Sequence, residues 1–310
     1  MQCDGAALIV TNTTPIFAER RFPVRLDTVV PDIRALYHRS KDQCWNPQRD
    51  VDWDSFTPAN YSAEQLAAAA LFWSRITWIE STGLAETPSL LVRFCVERDR
   101  EADPKLFLTV RNTEEAWHIE CGHRFAELCN GYIDSPTSAA YAASFNRRFP
   151  REALHAETSL DAYVAAHCAL ADGLELALWE GYRRNATDPV ASHILDLCVA
   201  DKQRHVEFGW LYLNTRSSTW DETTCTEIAE YVDRYVRDVE LEGYRCPSLA
   251  PPGQTDDLVE AEAISAAAGL GGVNAEQERQ ILRAWWIEGT ERLAKIGVGV
   301  APLIDQRLPD

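Results

Sequence analysis

Glu114-Glu115-Ala116-Trp117-His118 is the stretch from which the chain is best read. Glu115 and His118 stand three positions apart, so on an α-helix both side chains leave the same face. The surrounding text supports a helix over residues 103–130: Asp103-Pro104 puts proline at the first helical position, and Asn130-Gly131 supplies a stop. Upstream by 35 residues lies Glu80, a charge on an otherwise apolar, alanine-rich run that opens at Ser62-Ala63-Glu64-Gln65, a capping-box sequence. If the two helices are antiparallel neighbours, Glu80 meets Glu115 across the core. Downstream by 60 residues lies Glu175, embedded in Leu174-Glu175-Leu176-Ala177-Leu178. The helix after it carries Asp201-Lys202-Gln203-Arg204-His205.

Outside these stretches the pattern stays helical. Runs over about 160–184, 189–214, 221–241 and 275–296 have helical periodicity, with Asp188-Pro189 as a second proline start. Gly83 and Pro88 are expected to interrupt the first long helix, leaving Ser89 to Arg98 as a separate piece. Pro251-Pro252-Gly253 breaks the chain into a loop. Strand signals are confined to Leu8-Ile9-Val10 and Val24-Arg25-Leu26, in a segment punctuated by Pro31, Pro47 and Pro58. The organisation predicted is all-α. Residues 1–60 form an N-terminal arm packed on the body, 61–215 a helical bundle, and 216–310 further helices completing the same domain.

Composition sets the outer bounds. With 30 basic and 48 acidic residues among 310, the chain carries a formal charge of −18, and 46% of it is hydrophobic. That is enough apolar material for a core and argues against disorder. The acidity opposes a nucleic-acid binder and electrostatic docking on anionic membranes. No run of about 18 apolar residues predicts a transmembrane helix, and Met1 to Gly5 lacks the basic start of a secretory signal. Nine cysteines without a Cys-x-x-Cys pair read as reduced, mostly buried thiols of a cytoplasmic protein.

The order Glu80, Glu115-x-x-His118, Glu175, His205 resembles the ferritin-like di-iron carboxylate proteins, whose bundle core takes one Glu from each of two helices and a Glu-x-x-His from each of the other two. The resemblance spans residues 62–215, about half the chain. The 35- and 60-residue steps and the extra C-terminal helices are most similar to the bacterial p-aminobenzoate N-oxygenase group. It implies a ferritin-like four-helix bundle holding two irons. Glu80, Glu115 and His118 would serve one side of the cluster, and Glu175 and His205 the other. Glu114 would orient His205 and Asp201 would orient His118. It further implies an oxygenase or oxidase using O2 as co-substrate on a small organic molecule, such as an amine to be N-oxygenated in specialised metabolism, with an external electron donor. A homodimer is the generic expectation for such a protein. The chemistry is coherent: carboxylates are hard donors, imidazole suits iron, and buried anions ask for a cation.

The chain departs from that pattern at Lys202, where the second Glu-x-x-His should have its glutamate, and at Cys198, where the N-oxygenases have an additional histidine. Lys202 could ligate as a neutral amine, or stay protonated and pair with Glu175 in place of one metal. Alternatively, the register could shift to make Asp201 and His205 the ligands. If Lys202 abolishes the cluster, the alternative is a metal-depleted ferritin-like binding or scaffold protein. Among nearby residues, His123 is rotated off the ligand face, His167 could line a substrate entrance, and His193 reads as outside. Trp78, Trp117 and Tyr163 could wall a pocket, Arg93 and Arg111 could clamp a substrate carboxylate, and Tyr163 and Tyr182 are candidate radical sites.

Overall fold

A satisfied capping box starts the first long rod: the Ser62 hydroxyl accepts from the Gln65 N–H at 3.2 Å, and the Gln65 side chain accepts from the Ser62 N–H at 2.9 Å. This computed structural model describes residues 26, 29–97, 101–145, 153–154 and 158–308. Preceding the rod is α1 (Pro31–Asp42), a helix inside the segment expected to be an irregular arm. Pro31, Pro47 and Pro58 each sit at the start of a helical turn, where the missing N–H costs nothing. Both expected extended pieces lie outside the described residues, apart from Leu26.

The rod itself, α2, runs unbroken over Ala63–Val96, so the expected interruption at Gly83 and Pro88 does not occur. Pro88 is on the exposed face, where its missing hydrogen bond can be made up by water. Gly83 faces the next helix so closely that an added Cβ would lie 3.2 Å from Glu115 Oε1. Thr87, one turn on, donates to that same oxygen at 2.9 Å. Tertiary contact therefore overrides two helix-breaking propensities. Arg98, the expected end of the second piece, lies outside the described residues.

Helix α3 is Ala102–Cys129. Asp103 is inside it rather than capping it, because its carboxylate accepts from Val30 N–H at 2.6 Å and Arg34 Nε at 2.7 Å, fastening α1 to the bundle. A short α4 (Ala139–Phe145) follows. Leu160–Tyr163, the π-helical Val164–Ala171 and Asp172–Asn185 continue into one another as a single rod, α5. Helix α6 (Pro189–Ser217) is capped by the Asp188 carboxylate, which accepts from Val190 and Ala191 N–H at 2.9 and 3.0 Å.

These rods form two antiparallel pairs. Along α2 and α3, Trp73 meets Phe125 at 4.8 Å and Glu80 meets His118 at 3.0 Å. Along α5 and α6, Tyr212 donates to Asp161 at 2.6 Å, and Lys202 lies 3.0 Å from Glu175. Gly209 permits the second pairing: a Cβ there would sit 2.2 Å from the Cys168 carbonyl oxygen. Aromatic groups close the core on both sides of a central polar layer, with Phe72, Trp73 and Phe125 at one end and Phe94, Phe107 and Phe208 at the other.

The C-terminal elements are α7 (Glu222–Tyr235, continued by the π-helical Val236–Glu240), α8 (Asp256–Ala267) and α9 (Ala275–Lys295). The sequence reading missed α8, which is tied to α2 by a buried Arg75–Glu262 ion pair of 2.5 Å. Helix α9 packs on α5, with the Trp285 indole donating to the Leu170 carbonyl at 2.8 Å. Among the described residues there is no strand beyond one isolated bridge, Ala186 to Leu270, and no helix is long and apolar enough to cross a membrane.

Candidate metal centre

The polar layer is built from one stretch of each rod. Helix α2 contributes Glu80, α3 contributes Arg111, Glu114, Glu115 and His118, α5 contributes Asp172 and Glu175, and α6 contributes Asp201, Lys202, Arg204 and His205. All eleven side chains are buried. The five residues read as metal donors thus face one another in the centre of the bundle.

Lys202 occupies the middle. Its Nζ donates to Glu80 Oε1 at 2.7 Å and Oε2 at 2.9 Å, lies 3.0 Å from Glu175 Oε1, and sits 5.5 Å over the Trp179 ring. Of the three arrangements open to Lys202, this is the ion pair. Burial works against its charge, yet Glu175 and Glu80 outweigh it and hold the ammonium above the usual lysine range. Burial likewise opposes the Glu80 charge, but Lys202 and His118 keep its carboxyl well below the ordinary range. Burial pushes Glu175 up to about 8 despite Lys202.

The two histidines differ in their surroundings. His118 has both ring nitrogens engaged, Nδ1 at 3.0 Å from Glu80 Oε2 and Nε2 at 3.0 Å from Asp201 Oδ2. His205 has only Nε2 engaged, at 2.9 Å from Glu114 Oε2, and its buried Nδ1 has no hydrogen-bond partner among the described residues. Burial, then Arg111 and Lys202, push the His205 ring well below the usual histidine range. The surroundings thus disfavour a charged ring, which is oriented through Nε2 by Glu114. Burial and Asp201 push Glu114 itself up to about 7.

Glu115 is engaged on one side only. Oε1 accepts from Arg111 Nε at 3.0 Å and from the Thr87 hydroxyl at 2.9 Å, while Oε2 is buried without a partner among the described residues. Arg111 also reaches Asp172, at 3.0 Å from Oδ1. Six buried acids (Glu80, Glu114, Glu115, Asp172, Glu175, Asp201) face three buried Lys or Arg side chains (Arg111, Lys202, Arg204) and His118, so the layer carries an acidic surplus. Buried charge of that kind is neutralised by protons or by a cation. Even so, no three His, Cys, Asp or Glu side chains among the described residues already stand together in metal-ligating geometry. Lys202 and Arg111 hold the carboxylates instead.

A cavity of about 10 Å³ adjoins this layer, walled by Ile76, Ile79, Leu178, Trp179 and Tyr182, with Glu80, Glu175 and Arg245 at its polar edge. That is room for about one water-sized molecule.

Several expected pocket residues lie elsewhere. Arg111 is bound to Glu115 and Asp172, and Arg93 to Glu97 and the carbonyls of Ala153 and Thr158, so neither presents a clamp to a substrate. Trp78 belongs to a separate cluster with Tyr141 and Leu258, and Trp117 packs on Trp45 at 5.5 Å. Tyr163 donates to Glu86 at 3.1 Å, and Tyr182 accepts from Arg75 at 3.3 Å. His167 is buried, stacked on Tyr163 at 4.0 Å and 3.0 Å from Glu86. His123 is exposed beside Tyr132, and His193 is exposed with Nε2 at 2.9 Å from the Asp50 carbonyl oxygen.

Four participants were not anticipated: Asp172, Trp179, Arg204 and Arg245. Asp172 and Trp179 lie one turn to either side of Glu175 on the same face, a spacing visible in the sequence. Arg204 joins Glu114, at 2.7 Å, to Asp201. Arg245, 3.8 Å from Glu175, arrives from a loop that no local pattern connects to the bundle.

No family model and no curated protein matches the chain. Solved structures do. An R2-like ligand-binding oxidase with an aerobically reconstituted metal cofactor after photoconversion aligns with a TM-score of 0.63 at 19% identity, over 84% of this chain and 92% of that one. A variant R2-like ligand-binding oxidase with an aerobically reconstituted Mn/Fe cofactor gives 0.64 at 18%, over 84% and 92%. Another such variant gives 0.62 at 17%, over 87% and 99%. The likeness is one of fold: the chain has the all-α, ferritin-like architecture of these oxidases.

Proposed function

We propose that the protein is a metal-dependent, O2-activating oxidase or oxygenase acting on a small organic molecule. The observation that carries this reading is the convergence of Glu80, Glu115, Glu175, His118 and His205 on one buried layer with more acid than base. The fold shared with oxidases that carry reconstituted metal cofactors supports it. The donor set fits a hard or borderline cation such as iron or manganese, and the buried, unpartnered Glu115 Oε2 and His205 Nδ1 are atoms such a cation would satisfy. When bound, the metal supplies the redox and O2 chemistry that no side chain offers.

The chain's own contribution is positional. Glu114 orients His205 through Nε2, Asp201 holds His118, and Lys202 holds Glu80 and Glu175 at close range. Ile76, Ile79, Leu178 and Trp179 wall the adjoining cavity, whose size of about 10 Å³ is room for about one water-sized molecule and not for an organic one. The organic substrate therefore has to displace part of that wall. N-oxygenation of an amine in specialised metabolism is the finer reading, following the spacing of the carboxylates. A cytoplasmic homodimer fed by an external electron donor completes it.

A second reading is favoured by one observation, the Lys202 ammonium between Glu80 and Glu175: a metal-depleted binding or scaffold protein. Purification from iron-replete, reducing medium separates the two. Bound iron or manganese, with O2 uptake by the reduced protein, supports the oxidase. Metal-free protein whose stability is unchanged by chelator supports the scaffold and refutes the oxidase.

A further inference from the structure

We infer that the outer face of the α2–α3 hairpin, over residues 81–95 and 106–116, is the surface on which two copies of this chain pair. This gives the proposed homodimer its interface and stands apart from the metal-dependent reading, since no donor of the centre takes part.

The face is built from two matching stripes. On α2 the exposed side chains recur at steps of three and four, from Ser81 through Leu84, Pro88 and Val92 to Cys95. On α3 they recur in the same way at Leu106, Thr109, Thr113 and Ala116. That spacing is the seam along which one helix packs on another. Thr87 reaches Glu115 at 2.9 Å and Glu80 reaches His118 at 3.0 Å, so the stripes run side by side while the opposite faces of both helices turn into the bundle. Between residues 81 and 96 the only charged side chains are Glu86 and Arg93. Arg93 is buried, and Glu86 is held by the Tyr163 hydroxyl at 3.1 Å. Between 106 and 117 the charged side chains are Arg111, Glu114 and Glu115, all buried. The surface therefore presents no exposed charged side chain, in a chain that is 25% charged. Three of the eight large hydrophobics exposed among the described residues lie on it, Leu84, Val92 and Leu106. A fourth, Val29, adjoins its end, because the Val30 N–H is bonded to Asp103 at 2.6 Å. A contiguous patch of this kind marks a contact surface.

A second copy is the occupant that fits. Each chain carries a formal charge of −18, so two copies repel wherever acidic faces meet, and here neither brings a charge to the contact. An antiparallel pair of matching stripes is also complementary to its own twin. A twofold axis across the hairpin sets four helices together and closes the contact on itself. The stripe from 81 to 95 is about 21 Å long, and two helices side by side make the face about 20 Å wide, roughly 400 Å² on each copy. With the relief of the side chains, two such faces approach the ~1,000 Å² that a specific interface needs. A lipid surface fits less well, since Ser81, Thr109 and Thr113 interrupt the apolar residues and the chain is acidic.

The test is sedimentation equilibrium of the full-length protein across the micromolar range, with and without added salt. The wild type is expected to be a dimer that salt leaves intact or tightens, because screening relieves the repulsion between two acidic chains. Leu84→Glu combined with Val92→Glu brings unpaired carboxylates from both copies into the contact and should weaken dimerisation more than about 30-fold, with helical circular dichroism unchanged. Ile287→Glu, comparably exposed but on α9, should change it less than about twofold. In the wild type, maleimide labelling followed by peptide mapping should slow at Cys95 as protein concentration rises and stay constant at Cys44, which is exposed outside the face. That measurement decides the matter if the double variant does not fold. A monomer at every concentration overturns the inference, and binding of that monomer to phosphatidylcholine vesicles assigns the face to lipid instead. A dimer that is unaffected by the double variant, dissociated by salt, or labelled at Cys95 equally at all concentrations overturns the placement. None of these results bears on metal content, so the oxidase reading stands or falls on its own test.

Discussion

Lys202→Met in metal-free protein is the sharpest test of the charge pattern in the bundle. The substitution keeps the approximate volume and apolar stem, so it opens little cavity. What it removes is the ammonium within 3.0 Å of Glu80 and Glu175, two carboxyls only 2% and 7% exposed. Breaking a buried ion pair by deleting one partner costs about 3–5 kcal/mol. For a chain of this size that corresponds to a fall in Tm of roughly 6–10 °C. The pH dependence fixes the sign. Without Lys202 the Glu175 carboxyl, already raised to about 8 by burial, is raised further above its unfolded value, while Glu80 keeps only His118 and its hydrogen bond to Glu175 against burial. The protonated form of Glu175 then preserves stability below the unfolded value of about 4.3, and stability is lost as pH rises through the folded value. The penalty should therefore be small near pH 5 and larger near pH 8. Urea unfolding followed by circular dichroism at both pH values measures it. A variant as stable as wild type at pH 8, or one damaged more at pH 5 than at pH 8, would refute the reasoning.

Other consequences follow from features outside the centre. Burial and the neighbouring Glu262 push the Glu278 carboxyl up to about 8, so its contribution is present below the unfolded value and is lost as pH rises towards 8. Glu278→Gln should flatten the fall in unfolding free energy between pH 5 and 8 by a few kcal/mol, at ~1.4 kcal/mol per pH unit; an unchanged slope excludes Glu278 as the source. Gly209→Ala would bring a Cβ within 2.2 Å of the Cys168 carbonyl oxygen, a backbone clash that should cost ~3 kcal/mol or more and show as a loss of soluble, helical protein. Pro88→Ala restores an exposed helical hydrogen bond and should stabilise the protein by about 1–3 kcal/mol, read as a higher urea midpoint at constant m-value.

Much of the bundle was legible because caps and periodicity are local. The Ser62–Gln65 box, Pro189 behind Asp188, and the face shared by Glu115 and His118 are all decided within one turn of helix. The unbroken passage of α2 through Gly83 and Pro88 was not legible, because it depends on Glu115 and Thr87 meeting across the bundle. Glu80 and Glu175 stood out as charges in apolar runs, and Lys202 as a break in a pattern. Arg111 reads in sequence as a cation that could clamp a substrate carboxylate, whereas its partners, Glu115 and Asp172, include a residue 61 positions away. Arg245 and helix α8 carry no signal of their own, since what they do is set by where the chain returns. Of the eight described cysteines, five are buried and all are free thiols.

Arg204 belongs to no motif, yet its guanidinium spans Glu114 and Asp201, whose opposite oxygens hold His205 and His118. The imidazoles of the two half-motifs are thereby yoked through a single crossbar. Disturbing either ring loads the other, so paired substitutions at 118 and 205 should be strongly non-additive. Neither ring of the centre can shift its hydrogen bonds without loading the other.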